Sequence, residues 1–148
     1  MIDKARQGFS VLELVVALAL VGILAAIALP GWSRLLPSYH LDGSVRQVQS
    51  ELHAIKMRAA AQNAKFQLAY LADASQYMIQ SDGKVLATKP LPEGIVITKA
   101  GSISFSPRGT ADGNTVRLRS STGLCKQVVV SPTGRVRTCR PNDCAGDC

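Results

Sequence analysis

Histidine, aromatic rings and early cysteines are all scarce in this chain of 148 residues, and each scarcity removes a class of function. There are two histidines, His40 and His53, both in one helical stretch. No Gly-x-Ser-x-Gly elbow, phosphate loop, Gly-x-Gly-x-x-Gly turn or zinc spacing occurs. The carboxylates Asp73, Asp82, Glu93 and Asp112 fall in turn-like segments, where short polar side chains serve the backbone. Calcium at Asp143–Asp147 lacks the ligand spacing of a calcium loop. The chain therefore reads as a non-enzyme that calls for no cofactor and no metal. Aromatic residues make up 5%, which disfavours single-strand nucleic-acid binding by base stacking.

Acidic charge is also in short supply. Seventeen Lys and Arg face ten Asp and Glu, giving a net charge of +7. From Gly101 onward the imbalance sharpens: Arg108, Arg117, Arg119, Lys126, Arg135, Arg137 and Arg140 against Asp112, Asp143 and Asp147. Such a surface suits anionic partners such as nucleic acid, lipid head groups or acidic proteins. Cysteine is absent until Cys125, then appears as Cys125, Cys139, Cys144 and Cys148. An even number in an exported chain points to two disulfides rather than a metal, since no Cys-x-x-Cys pair occurs.

Apolar residues are concentrated in one place. Phe9 to Leu29 carries a single charge, Glu13. At 1.5 Å per residue this run spans about 31 Å, the thickness of a bilayer core. Lys4 and Arg6 before it predict a cytoplasmic N-terminus, and Trp32 after it suits the far interface. A secretory signal is cut after its apolar region; here the small residue, Gly8, precedes it, so a cut after Gly8 keeps the helix on the mature chain. A carboxylate inside a span needs a partner. Glu13 lies one helical turn from the amino group that such a cut would free on Phe9, or could meet the one on a neighbouring subunit.

Gly8-Phe9-Ser10-Val11-Leu12-Glu13 with the apolar run and Pro30 closely resembles the prepilin signature of type IV pilins and type II secretion pseudopilins. The resemblance implies cleavage between Gly8 and Phe9 by a prepilin peptidase and N-methylation of Phe9. It further implies assembly with other pilins or pseudopilins into a filament, with Glu13 neutralising a neighbour's N-terminus, and delivery by inner-membrane assembly machinery. The expected location is the bacterial inner membrane, single-pass with a periplasmic globular domain, and then a pilus or pseudopilus.

Pro30, Gly31 and Pro37 predict a kink or interruption of the helix. Beyond them Leu41, Val45, Val48, Leu52, Ile55 and Ala59 recur at steps of four and three, one stripe of an amphipathic helix destined for a sheet. Eight short strands are then expected, near 66–72, 76–80, 84–87, 95–98, 102–106, 115–119, 124–130 and 135–139. Glycine-bearing turns at Gly83, Gly94, Gly109, Gly113, Gly123 and Gly134 separate most of them. Segments 102–106 and 115–119 alternate as half-exposed strands do.

The fold class is thus α+β and pilin-like: a long N-terminal helix, transmembrane half plus amphipathic half, packed on an antiparallel β-sheet. The expected divisions are a leader at 1–8, a transmembrane and polymerisation helix at 9–31, an amphipathic helix at 32–64 and a sheet domain with a Cys-rich end at 65–148. Lys56–Gln62, Ile103–Gly109 and the hairpin ending in Gly134-Arg135-Val136-Arg137 resemble the FimT/GspH branch of that superfamily in particular.

In that hairpin Arg135 and Arg137 are two apart, so they leave one face about 6.6 Å from each other, with Val136 pointing to the core. Two guanidiniums so spaced can each grip a phosphate. Arg140 and Lys126 are candidates to join them, and Arg117 and Arg119 repeat the pattern on another strand. Gly134-Arg135-Val136-Arg137 resembles the Gly-Arg-x-Arg motif of FimT-type minor pilins, which implies sequence-independent DNA contact in natural transformation. A solvated strand edge is the plain alternative. Cys125 and Cys139 lie on the two arms of this hairpin; a bridge between them, with Cys144 to Cys148 closing the tail, is one of three possible connectivities. The resulting expectation is a minor pilin of a type IV pilus, with DNA as a candidate partner. The alternatives are a GspH-type minor pseudopilin of type II secretion and an unrelated periplasmic domain on a membrane anchor.

Overall fold

The computed structural model describes residues 10–141 and 143–146, with the side chains at 28–35 left out. The expected cut between Gly8 and Phe9, Cys148 and the Trp32 side chain lie outside the described residues. By its contacts the chain divides into two compact units, 1–35 and 36–148.

Helix α1 spans Val11–Gln62. Ser10 starts it: its Oγ accepts the N–H of Leu12 at 3.3 Å, an N-cap that satisfies one of the free amides of the first turn. Glu13 falls in that first turn, where the helix dipole favours an acid. Of the kink or interruption expected at Pro30 and Pro37, the interruption does not occur: one helix runs from Val11 to Gln62. A proline removes one hydrogen bond and adds a local clash worth about 3 kcal/mol. Helix already propagating on both sides carries the chain across it. The helix ends at Asn63, whose φ of 49° is left-handed, while Ala64 N–H bonds Ala59 O at 3.3 Å. This is a Schellman cap with asparagine in the glycine position.

The two stretches of α1 differ in exposure. Apolar side chains from Val11 to Ile27 are exposed, Leu18 by 63% and Ile27 by 73%. Among the described residues no helix is long and apolar enough to cross a membrane. The described apolar side chains stop at Ile27, whereas the sequence run reaches Leu29 and starts at Phe9, outside the described residues. From Leu41 onward the stripe Leu41, Val45, Val48, Leu52, Ile55 and Ala59 is buried throughout.

Eight strands follow: β1 (Phe66–Tyr70), β2 (Gln76–Ser81), β3 (Lys84–Pro90), β4 (Ile95–Ile97), β5 (Gly101–Phe105), β6 (Asn114–Ser120), β7 (Cys125–Val130) and β8 (Val136–Cys139). They form two four-stranded antiparallel sheets, ordered β3-β2-β1-β5 and β4-β6-β7-β8. The chain changes sheet three times, after β3, β4 and β5, because β4 pairs with β6 and β5 with β1. A hydrogen bond from Tyr70 Oη on β1 to Thr115 O on β6 at 3.2 Å ties the sheets together, and an isolated bridge joins Phe105 to Ala111 in the loop before β6. Both contribute to one core beneath the helical stripe, with Leu68, Tyr77, Ile79, Ile97, Phe105, Leu118 and Val128 among its members.

Strand β6 alternates as expected, burying Val116, Leu118 and Ser120. Strand β5 does not: Ile103, Ser104 and Phe105 are all buried. Ser104 tolerates burial because its hydroxyl donates to the Asp112 carboxylate, as a buried polar group must. All six expected turn glycines have positive φ.

Candidate functional site

The sheet β4-β6-β7-β8 carries most of the late basic residues, and its register sorts them by face. Opposite residues in an antiparallel pair share a face, and neighbours along a strand alternate. Leu118 is buried in the core and stands opposite Lys126; Val116 stands opposite Val128, and Val128 opposite Thr138. Those positions face the core and helix. Arg117 opposite Gln127, Arg119 opposite Cys125, and Val129 opposite Arg137 occupy the other face. Arg135 lies just before β8, in the turn segment, so the strand expected from 135 begins one residue later at Val136.

Arg135 and Arg137 are exposed and flank the partly buried Val136. Among the described residues neither makes an ion pair. Arg119 lies 4.0 Å from Asp73, with both side chains largely in solvent. A pair of that kind contributes little. Arg117 is half-buried.

Lys126 and Arg140 depart from the expected grouping. The Lys126 ammonium pairs with the Asp42 carboxylate on α1. Lys126 and Arg140 together line a cleft between α1 and β8, with Asp42, Arg46, Gln49 and Thr138 also on its wall. The physical reason is strand parity. Lys126 is an even number of residues from the buried Val128 and Val130, and Arg140 is an odd number from Arg137.

Gly134 is held for steric reasons. The turn closes through Gly134 N–H to Ser131 O at 2.8 Å and Ser131 N–H to Arg135 O at 3.0 Å. Gly134 is buried with φ of 73°, and a Cβ there would overlap the carbonyl oxygen of Gly109 in the neighbouring turn. Lys56 Nζ, from α1, donates to Gly134 O at 3.0 Å. The glycine thus packs turn against turn and fixes where the strand bearing Arg137 begins.

The cysteines also pair differently from the first expectation. Cys125 is bonded to Cys144, with Cα atoms 5.3 Å apart. Cys139 is disulfide-bonded as well, and among the described residues no cysteine is free. Cys139 stands opposite Gln127, not Cys125. Diagonal neighbours lie about 7–8 Å apart, beyond the usual reach of a disulfide. The tail so tethered covers Gln127, whose Nε2 donates to Gly146 O at 2.5 Å. Asp143 is spent on its own turn, accepting the N–H of Ala145 at 3.1 Å and that of Gly146. Among the described residues no group of three or more His, Cys, Asp or Glu could hold a metal.

Two tyrosines are perturbed, both in the core. Burial pushes Tyr70 up to about 12. Burial does the same for Tyr77, to about 12, with the Gln47 hydrogen bond pulling it down and the Glu51 charge adding to the rise. These are packing residues, and the basic faces contain neither.

Sequence reasoning missed Asp42, Arg46 and Gln49. They recur at four and three on α1 beside the buried stripe, so a helical-face reading would have found them. It also missed Lys56, whose contact with Gly134 joins positions too far apart in the chain for any local pattern to show.

Comparison with known proteins places this geometry. Residues 3–29 match the prokaryotic N-terminal methylation motif, and residues 44–134 match the model described as type II transport protein GspH. The fimbrial protein EcpC of Eikenella corrodens is 34% identical over 70 residues, covering 43% of this chain and 46% of that protein. A fimbrial protein of Pseudomonas aeruginosa is 39% identical over 56 residues, covering 38% of this chain and 34% of that protein. The chain thus spans less than half the length of these curated relatives. The type IV minor pilin FimU of Pseudomonas aeruginosa superposes with a TM-score of 0.58 at 14% identity, over 72% of this chain and 96% of that one. The minor pseudopilin EpsH of the Vibrio cholerae type 2 secretion system superposes at 0.57 and 13% identity, over 70% and 99%. At such identities these two structures share the fold. The matched family model spans more than half of the chain, and the chain therefore belongs to the type II transport protein GspH family, the pilin-like minor pilins and pseudopilins.

Proposed function

We propose that this subunit is a minor pilin of a type IV pilus that contacts the DNA backbone through Arg135 and Arg137. One observation carries the reading: two exposed arginines, Arg137 on the edge strand β8 and Arg135 just before it, without an ion pair among the described residues, stand next to a turn locked by Gly134 and Lys56. Arg117 and Arg119 share the face of Arg137 across the sheet and extend its charge. Phosphate contacts of this kind hold a duplex without reading its sequence.

In the same reading a prepilin peptidase cuts between Gly8 and Phe9, Phe9 is N-methylated, and Glu13 meets the N-terminus of a neighbour during assembly. The apolar run 9–29 waits in the inner membrane until then. The methylation-motif match over residues 3–29 supports this part. A second reading, a minor pseudopilin of a type II secretion system, is favoured by the family model and by the likeness to EpsH.

The test uses residues 36–148, since every buried core side chain lies at Leu41 or later. Mobility shift of duplex DNA is measured across salt concentrations. Wild type should bind at low salt, and Arg135→Ala with Arg137→Ala should lower the slope of log K against log salt by about 2, one for each lost phosphate contact. No shift by the wild type, or an unchanged slope in the variant, rejects the DNA contact and leaves the pseudopilin reading.

A further inference from the structure

The cleft between α1 and β8 has a volume of about 380 Å³ and lies on the face of the sheet opposite to that of Arg137. Arg46, Lys126 and Arg140 line it against one carboxylate, Asp42. Asp42 is already engaged with Lys126, so the surplus of two positive charges falls to Arg46 and Arg140. Both are exposed, and among the described residues neither makes an ion pair. They come from different elements, a helix and the residue just after a strand. Gln49 and the exposed Thr138 add neutral hydrogen-bonding groups to the wall.

The cleft is open at a strand edge. β8 is terminal in its sheet, so one side of its backbone can pair with an extended segment. The wall contributed by α1, from Asp42 to Gln49, is mid-helix and far from either helix end at Val11 and Gln62. No glycine lines the cleft. A phosphate cradle is normally built from a helix N-terminus or a glycine-rich nest of amides, and neither is present here. Two forked guanidiniums beside a free strand edge fit carboxylates on an extended peptide instead.

We propose that this cleft is a docking site for an acidic segment of a neighbouring filament subunit, seated along β8 with an Asp or Glu between Arg46 and Arg140. The inference uses the family's filament assembly and stands apart from the DNA contact, which lies on the opposite face of the sheet. Charge complementarity selects the occupant: a cleft with surplus positive charge favours acidic neighbours and repels the basic face of a second copy.

A photo-crosslinking residue placed at Thr138 of the full chain, in cells assembling the filament, tests it. The expected product joins position 138 to a pilin-class subunit at a peptide that carries Asp or Glu. Arg46→Glu with Arg140→Glu should abolish that product, and changing the mapped acid to Lys should restore it. Arg46→Gln with Arg140→Gln, a milder pair, should reduce the product several-fold with the melting temperature unchanged. Any one of four results overturns the proposal: no crosslink in assembled filaments, a crosslink to a peptide without an acid, a crosslink indifferent to these charges, or nucleic acid as the crosslinked species. Loss of DNA binding in the Arg135 and Arg137 variant with the Thr138 crosslink intact would show the two faces to be separate sites.

Discussion

The two stretches of α1 solve different problems, and the first is far richer in apolar residues than the second. From Val11 to Ile27 such residues surround the helix and lie exposed. From Leu41 to Ala59 they keep to one stripe and are buried by the chain's own sheets. A helix apolar all round needs something outside its own chain to cover it, whereas a striped helix finishes its burial within the fold. The second stretch is therefore where the stability of the globular unit resides, and the first leaves its apolar surface uncovered.

The largest expected effect follows from that division. Leu52→Ala should destabilise the chain by about 2–5 kcal/mol, the usual cost of emptying a buried leucine site. Leu18→Ala should leave the denaturant midpoint of the globular unit unchanged. Equal shifts in urea unfolding would break the comparison.

A smaller effect probes the helix–sheet seam. Tyr77 Oη receives the Gln47 amide at 3.1 Å, and burial raises its pKa from 10.0 to about 12. Because the folded state holds this proton more tightly, the stability linked to it is fully present below pH 10 and is lost as pH rises through 12. Tyr70 behaves alike. Alkaline unfolding followed by circular dichroism should steepen between these limits by roughly 2 kcal/mol for each ring. Tyr77→Phe should flatten the profile, and an unchanged profile would place the seam elsewhere. The smallest effect belongs to the half-exposed pair of Asp42 and Lys126. Asp42→Asn should cost about 0–1 kcal/mol in thermal unfolding, sharpening the view that the stripe and not its charged border holds the helix down.

Period and spacing made much of the fold legible. The stripe from Leu41 to Ala59 is a step pattern, and its six members are buried. The strands alternate or are short β-rich runs, and their turns carry glycines at positive φ. The division into two sheets was not legible, because pairing β4 with β6 and β5 with β1 is decided by contacts distant in sequence. At the prolines local chemistry allowed either a kink or a break, and the helix Val11–Gln62 shows no break.

In the site, charge drew attention ahead of parity. Lys126, Arg137 and Arg140 read as one cluster by proximity, yet counting by twos along β7 and β8 separates them. Parity leaves Cys125 and Cys139 on one face; the register, with Cys139 opposite Gln127, is what sets them diagonal and apart. The cleft with Arg46 needed the structure, since only the fold brings α1 beside β8.

The Cys125–Cys144 bond has a mechanical consequence. An antiparallel edge strand pulled from its end opens like a zipper, breaking hydrogen bonds one after another at low force. Cys144 lies beyond β8, and its bond runs to β7, an inner strand. Fraying of β8 from that end therefore does not release the segment around Cys144, which stays covalently on β7 and over Gln127.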